Sequence, residues 1–225
     1  MNYIEGAGGG GSWLCPTICM LTGPDNVTVI DGDTLEEKNL NRQLYTQDDI
    51  GKNKADALAA RYGCQSRPEF YYLGLIELDP RDWLLVCVDN MPARKSALES
   101  CDHYGCKAIF AANETNSAEA YLYLPEWKDS PLDPRVYYPE INKDATGDPR
   151  ARAMGCTGEA QVATRQLVSS NFMSAALAQH LFVAWAIEAR KMDAEARKFL
   201  PHKLAANLSK IESYSSNQTM KGQIK

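Results

Sequence analysis

The chain has little of what marks a nucleic-acid binder, a membrane protein or a disulfide scaffold. Its 24 Lys and Arg stand against 29 Asp and Glu, a formal net charge of -5 with a pI near 5.3. With no basic excess, nucleic acid is excluded as the expected partner. No apolar run is read as approaching a membrane span or a signal peptide, because Glu5, Lys38 and their neighbours break up the candidates. Seven cysteines, an odd number, lie scattered through apolar segments at Cys15, Cys19, Cys64, Cys87, Cys101, Cys106 and Cys156. That is no disulfide framework, and it points to a reducing compartment. Cys15-x3-Cys19 and Cys101-x4-Cys106 lack the paired Cys-x2-Cys spacing of a structural zinc site. There is no internal repeat. The expectation is a cytoplasmic protein with neither nucleic acid nor membrane as partner.

What is present is organised around Tyr3-Ile4-Glu5-Gly6-Ala7-Gly8-Gly9-Gly10-Gly11-Ser12. A short β-prone segment runs into Gly6, Gly8 and Gly11, the Gly-x-Gly-x-x-Gly spacing. The first glycine permits a tight turn out of a strand, the second lets backbone approach a phosphate, and the third lets helix and strand pack closely. The phosphates then meet the free N–H groups and positive dipole end of the following helix. A glycine-rich run alone also fits a flexible leader. Against that stand an apolar helical segment from Trp13 to Leu21, the turn Gly23-Pro24-Asp25-Asn26, and a β-branched strand Val27–Ile30 ending in Asp31. Asp31 lies twenty residues past Gly11, where a nucleotide-binding βαβ unit places an acid against ribose hydroxyls. Pro16 is a local misfit in the helix, tolerable in a first turn and otherwise a kink.

Further along, a polar loop from Asp31 to Leu44 leaves the carboxyl end of a strand, where ligands bind in open α/β sheets. Gly51-Lys52-Asn53-Lys54 opens a helix to Tyr62, so Arg42 and Lys54 flank the same strand edge as the glycines and could neutralise a triphosphate. Glu69 to Leu78 reads as a strand, and Leu84 to Val88 as a strand buried on both faces. Asp89-Asn90 follows, then a helix from Lys95 to Tyr104, a strand Ala108–Ala112 and another near Ala120–Leu124. Pro125 to Ala153 reads as a long irregular crossing loop, and Val162 to Ala189 as an apolar helix serving as core or as a dimer face. The fold expected is α/β, a Rossmann-like, mostly parallel sheet flanked by helices, with a crossing loop at about 125–153 and a C-terminal helix. One domain over 1–190 is followed by a helical tail over 191–225.

The set Asp31-x-Asp33, Asn39-Leu40-Asn41-Arg42-Gln43, Gly51-x-x-Lys54 and Asp89-Asn90-x3-Arg94 resembles the adenylation domain of the E1-like superfamily. That superfamily includes ubiquitin-activating enzymes and the bacterial ThiF and MoeB type that activates sulfur carriers. The resemblance implies ATP-dependent adenylation of the C-terminal carboxylate of a small ubiquitin-like or sulfur-carrier protein ending in glycine, with pyrophosphate released and Mg²⁺ required. It implies that Gly6, Gly8, Gly9 and Gly11 line the nucleotide pocket, that Asp31 with Asp33 serves the ribose side, and that Asn39, Arg42 and Lys54 contact phosphates. Gln43 would support the loop, Asn90 would adjoin the nucleotide, and Asp89 would bind Mg²⁺. It further implies a homodimer or an E1-like partner subunit, and a possible thioester on Cys156, whose bland alternative is a small core residue. The family usually places a helix ahead of the first strand, and in several members its arginine reaches the partner subunit's ATP; with only Met1 to Glu5 ahead of the glycines, that arginine is expected to be missing or supplied otherwise, and the zinc-binding cysteine pairs of many bacterial members are not seen.

The residue chemistry agrees with adenylation. In-line attack on an α-phosphate needs positioned reactants and offset charge, which Arg supplies as a bidentate fork and Lys as a point charge. Two other classes stay open: a catalytically silent E1-like scaffold subunit, and a dinucleotide-dependent oxidoreductase. The second accounts for Gly6 to Asp31 but leaves Asn39-x2-Arg42-Gln43 and Asp89-Asn90 without a task.

Overall fold

The first strand, β1 (Asn2–Glu5), is buried along its whole length, and the architecture grows outward from it. A computed structural model describes residues 1–143 and 168–207. β1 is followed by helix α1 (Gly9–Thr22), strand β2 (Val27–Ile30), helix α2 (Lys54–Tyr62), strand β3 (Gln65–Arg67) and strand β4 (Trp83–Val86). Then come helix α3 (Met91–Tyr104), strands β5 (Lys107–Asn113) and β6 (Ser117–Tyr123), and short helices α4 (Pro134–Tyr137) and α5 (Glu140–Lys143). Helix α6 (Val168–Phe182) runs on as a π-helical and then a 3-10 segment to Lys191, before the short α7 (Ala194–Arg197) and strand β7 (Lys203–Asn207).

The sheet order is β3-β2-β1-β4-β5-β6-β7. β3 through β5 pair in parallel, while β6 and β7 are antiparallel additions. The mostly parallel α/β architecture expected above is the one observed. β1 pairs with β2 on one side and β4 on the other, with Glu5 opposite both Ile30 and Val86. The strand order therefore reverses direction at β1, the place where open α/β sheets bind ligands.

Two cores cover the two faces. Ile4, Val29 and Leu85 face α1 and α6 with Leu14, Ile18, Leu181 and Phe182. Tyr3, Leu84 and Val86, with Phe110 of β5, share the other core with Leu98 and Cys101 of α3. Pairs of adjacent strand residues feed opposite cores because successive side chains alternate across the pleat.

The structure corrects several expectations. Glu69–Leu78 is not a strand: the strand is Gln65–Arg67, and Phe70-Tyr71-Tyr72-Leu73 is loop in which only Tyr71 is buried. An edge strand of a parallel sheet needs only backbone pairing to one neighbour, so its polar sequence carries no hydrophobic signature. Within 125–143 the crossing segment holds α4 and α5, and the stretch 191–207, expected to be helical, supplies the seventh strand. Residues Val168–Lys191 form a 24-residue helix containing an 18-residue window of mean hydropathy 1.3, long and apolar enough by length and composition to cross a membrane, contrary to the reading that no such run exists. Here it packs on α1, β5 and β6. Pro16 sits inside α1, which continues through it.

Candidate active site

The turn out of β1 is shaped by two glycines. Gly6 has φ +87° and donates its N–H to the Ile30 carbonyl at 2.9 Å. A Cβ on Gly11 would stand 1.8 Å from the Gly6 carbonyl oxygen, closer than any atom can approach. Strand end and helix start are thus in backbone contact, as the third glycine of the motif requires. Gly9 and Gly10 serve a different neighbour: a Cβ on Gly9 would meet the Asn171 side chain at 2.4 Å, and one on Gly10 would meet Ser174 Oγ at 3.2 Å. These two glycines let α6 press onto the start of α1. Gly8 remains open, its nearest side-chain atom being Gln43 Nε2 at 3.8 Å from an added Cβ.

Asp31, buried at the end of β2, ties the loop down. Its Oδ2 accepts from the Ala7 N–H at 2.6 Å and its Oδ1 from the Asp33 N–H at 2.8 Å. Each carboxylate oxygen has a second lone pair, so capacity for ribose hydroxyls remains. Burial raises its pKa, while the Lys54 charge and the two backbone donors act to lower it. Lys54, buried at the start of α2, reaches the exposed Asp33 carboxylate at 2.8 Å, and Asn53 caps α2 while donating to the Asp31 carbonyl. Asp31, Asp33 and Lys54 are therefore brought together beside the glycines.

The 39–45 segment is folded onto the same place by side chains from α1 and α6. Trp13 and Asn171 both donate to the Arg42 carbonyl, and Ser12 Oγ accepts from the Leu44 N–H. Tyr45, buried, donates its hydroxyl to the Ala7 carbonyl at 2.7 Å. Asn39 caps its own turn by accepting from the Glu36 N–H. The Arg42 guanidinium turns back onto its loop, donating to the Lys38 carbonyl and Asn41 Oδ1, so it does not reach the glycines. Three polar atoms here are buried without partners among the described residues: Arg42 Nε, Gln43 Oε1 and Asn171 Oδ1. Buried polar atoms are seldom left so, which marks this as a place for a polar guest.

Asp89 follows β4 at the same sheet end, exposed and without a hydrogen-bond or ion-pair partner among the described residues. Asn90 is the N-cap of α3, accepting from the Ala93 N–H at 2.9 Å. Beneath them Arg94 is buried and donates to the Val88 carbonyl. Glu5, also buried and unpartnered at Oε2, has its pKa raised well above normal by burial, with Arg94 partly opposing this. Sequence reasoning missed Glu5, Tyr45, Asn171 and Ser174. Only Glu5, a charged residue inside an all-buried strand, carried a signal that pattern alone could have flagged. Cys156 lies outside the described residues.

Comparison with known proteins sets this geometry in context. The ThiF family matches over residues 3–64. The NEDD8-activating enzyme E1 catalytic subunit of Dictyostelium discoideum is 36% identical over 103 residues, covering 36% of this chain and 23% of the relative. The Caenorhabditis elegans protein of the same name is 46% identical over 109 residues, covering 41% and 23%. The chain thus spans about a quarter of the length of the curated relatives it matches. Among solved structures, PaaA superposes with a TM-score of 0.62 at 21% identity, covering 92% of this chain and 69% of that one. E. coli MccB with ATP superposes with a TM-score of 0.60 at 16% identity, covering 92% and 63%. These two likenesses show the fold. Over residues 3–64, the stretch that holds the glycine loop, Asp31, Arg42 and Lys54, the chain matches the ThiF family, in keeping with the E1 catalytic subunits it resembles.

Proposed function

We propose that the chain is an E1-like adenylyltransferase that binds ATP against the glycine loop and joins its α-phosphate to the C-terminal carboxylate of a small ubiquitin-like or sulfur-carrier protein, releasing pyrophosphate. The observation that carries this reading is the set of buried polar atoms left without partners on Arg42, Gln43 and Asn171, in and beside the 39–45 segment that packs on the glycine loop. Two amide oxygens want donors such as ribose or adenine groups, and the guanidinium Nε offers one to a phosphate. Relatives named as E1 catalytic subunits support the class of reaction. Asp31 would hold the ribose, and Lys54 and a re-aimed Arg42 would offset phosphate charge. An exposed, unpaired carboxylate suits a hard cation that takes oxygen ligands, so Asp89 would hold Mg²⁺, which supplies charge compensation on the phosphates when bound. A partner subunit or second copy belongs to the same reading, as does a cytoplasmic location. A carrier thioester on Cys156 would appear as a thiol-labile adduct lost in Cys156→Ala, with adenylation preserved.

The test is ATP–pyrophosphate exchange by the purified chain, with and without candidate carriers ending in glycine. Exchange that depends on one carrier, and that falls about 100-fold or more in Asp89→Ala with its fold intact, is expected from the cost of losing one charge-stabilising group. Full activity in that variant would remove Asp89 from the mechanism. A silent scaffold is the second reading, favoured by the internal engagement of Arg42 with Lys38 and Asn41 and of Lys54 with Asp33. ATP binding without exchange for any carrier would establish it.

A further inference from the structure

Away from the glycine loop, three thiols meet between α1 and α2. Cys15 and Cys19 stand one helical turn apart on the same face of α1. Cys64 reaches them because α2 ends on Gly63 in the left-handed conformation, φ +73°, which turns the chain back toward α1. The Cys15 and Cys64 Sγ atoms are 3.9 Å apart, and all three sulfurs lie within 4.8 Å of one another. Sulfurs bound to one tetrahedral zinc at about 2.3 Å stand roughly 3.8 Å apart, so this spacing needs little adjustment. Cys15 is fully buried, Cys19 nearly so, and Cys64 half-buried, which leaves one approach from solvent.

The surroundings select a cation over a bare thiolate. Cys19 lies in the last turn of α1 and Cys64 just past the end of α2, so both sit at negative helix ends, which favour positive charge. Thiolates alone are soft donors that select zinc or copper(I) rather than magnesium or calcium. Three thiolates around Zn²⁺ leave one net negative charge in this largely apolar pocket, against two around Cu⁺, so zinc is the less costly guest.

We propose that Cys15, Cys19 and Cys64 form a zinc site that clamps α1 to α2, with a water completing the fourth position on the Cys64 side. Binding breaks three S–H bonds, releases three protons to the solvent and forms three Zn–S bonds, with no change of oxidation state. It is independent of the adenylation reading. The test is zinc content of the full chain, reduced, loaded with Zn²⁺ and passed over a desalting column. One zinc per chain is expected, falling at least tenfold in Cys64→Ser and unchanged in Cys106→Ser, whose thiol pairs with Cys101 in the other core. Cobalt in place of zinc should show thiolate charge-transfer absorption and the visible bands of a four-coordinate ion. Circular dichroism of Cys64→Ser checks that this half-buried substitution leaves the fold intact. No zinc retained by the folded chain, or equal retention in Cys64→Ser, would overturn the proposal.

Discussion

Gly11 shows how a single hydrogen in place of a methyl group sets the site. A Cβ there would lie 1.8 Å from the Gly6 carbonyl, which is backbone and cannot rotate away. Gly11→Ala should therefore cost at least the roughly 1–3 kcal/mol typical of overpacking, read as a lower midpoint in urea unfolding. Wild-type stability would show that β1 and α1 can part at no cost. Glu5 makes a second residue-scale case. Its folded pKa is raised well above the unfolded value near 4.3, chiefly by burial. The favourable state is the protonated one, present in full below that unfolded value and lost as pH climbs toward the folded pKa. Stability should decline from about pH 4.3 upward by this contribution, and Glu5→Gln should flatten the decline. An unchanged slope in that variant would mean Glu5 is ionised in the fold.

At the scale of elements, the segment after β6 is pinned by one guanidinium. Arg135 at the start of α4 meets Asp102 of α3 at 2.7 Å, Asp133 at 2.9 Å and the Tyr123 hydroxyl at 2.6 Å, and Lys128 adds a second cation on Asp102. Burial, the largest single influence, would raise the pKa of both carboxyls, but Arg135 together with Tyr123 and Lys128 on Asp102, and with the Asp129 and Arg135 N–H groups on Asp133, outweighs it and both end lowered. Their contribution is present above the unfolded pKa near 3.9 and fades as pH falls below it. Arg135→Met leaves the buried Asp133 carboxylate without its cation and Asp102 with Lys128 alone, and about 3 kcal/mol of destabilisation at pH 7 is expected from denaturant unfolding. The loss should shrink at pH 3; a constant loss across that range would assign the effect to packing.

For the molecule as a whole, β4 joins the two cores. Leu84 and Leu85 are adjacent and fully buried, yet they face α3 and the α1/α6 side respectively. Leu84→Ala and Leu85→Ala should each cost about 2–5 kcal/mol. Because both faces share one sheet, both variants should shift the same single transition seen by circular dichroism and tryptophan fluorescence. Separate transitions for the two probes would show that the faces unfold independently.

The local features legible in the amino-acid order are those with short-range causes. The Gly-x-Gly-x-x-Gly turn, the apolar β2 and β4, the Asn caps of α2 and α3 and the parallel α/β layout all follow from propensity, spacing and periodicity. What lay beyond reach was set by pairing and packing across long separations. β3, a polar Gln-Ser-Arg, and β7, whose Leu-Ala-Ala centre lacks β-branched residues, gain their strand character from a neighbouring edge rather than from their own sequences. Asn171 reaches the glycines from 162 residues downstream of Gly9, and Gly9 is spent on receiving it. The Arg42 guanidinium turns onto its own loop while its carbonyl anchors Trp13 and Asn171. Cys64 joins Cys15 and Cys19 because two helix ends converge, a fact of three dimensions that no Cys-x-x-Cys spacing announces. Sequence order determined the elements and the nucleotide loop, since these depend on backbone preference and near neighbours. Tertiary structure alone decided which distant polar atoms and thiols share a site, since only burial against a common sheet brings them within bonding distance.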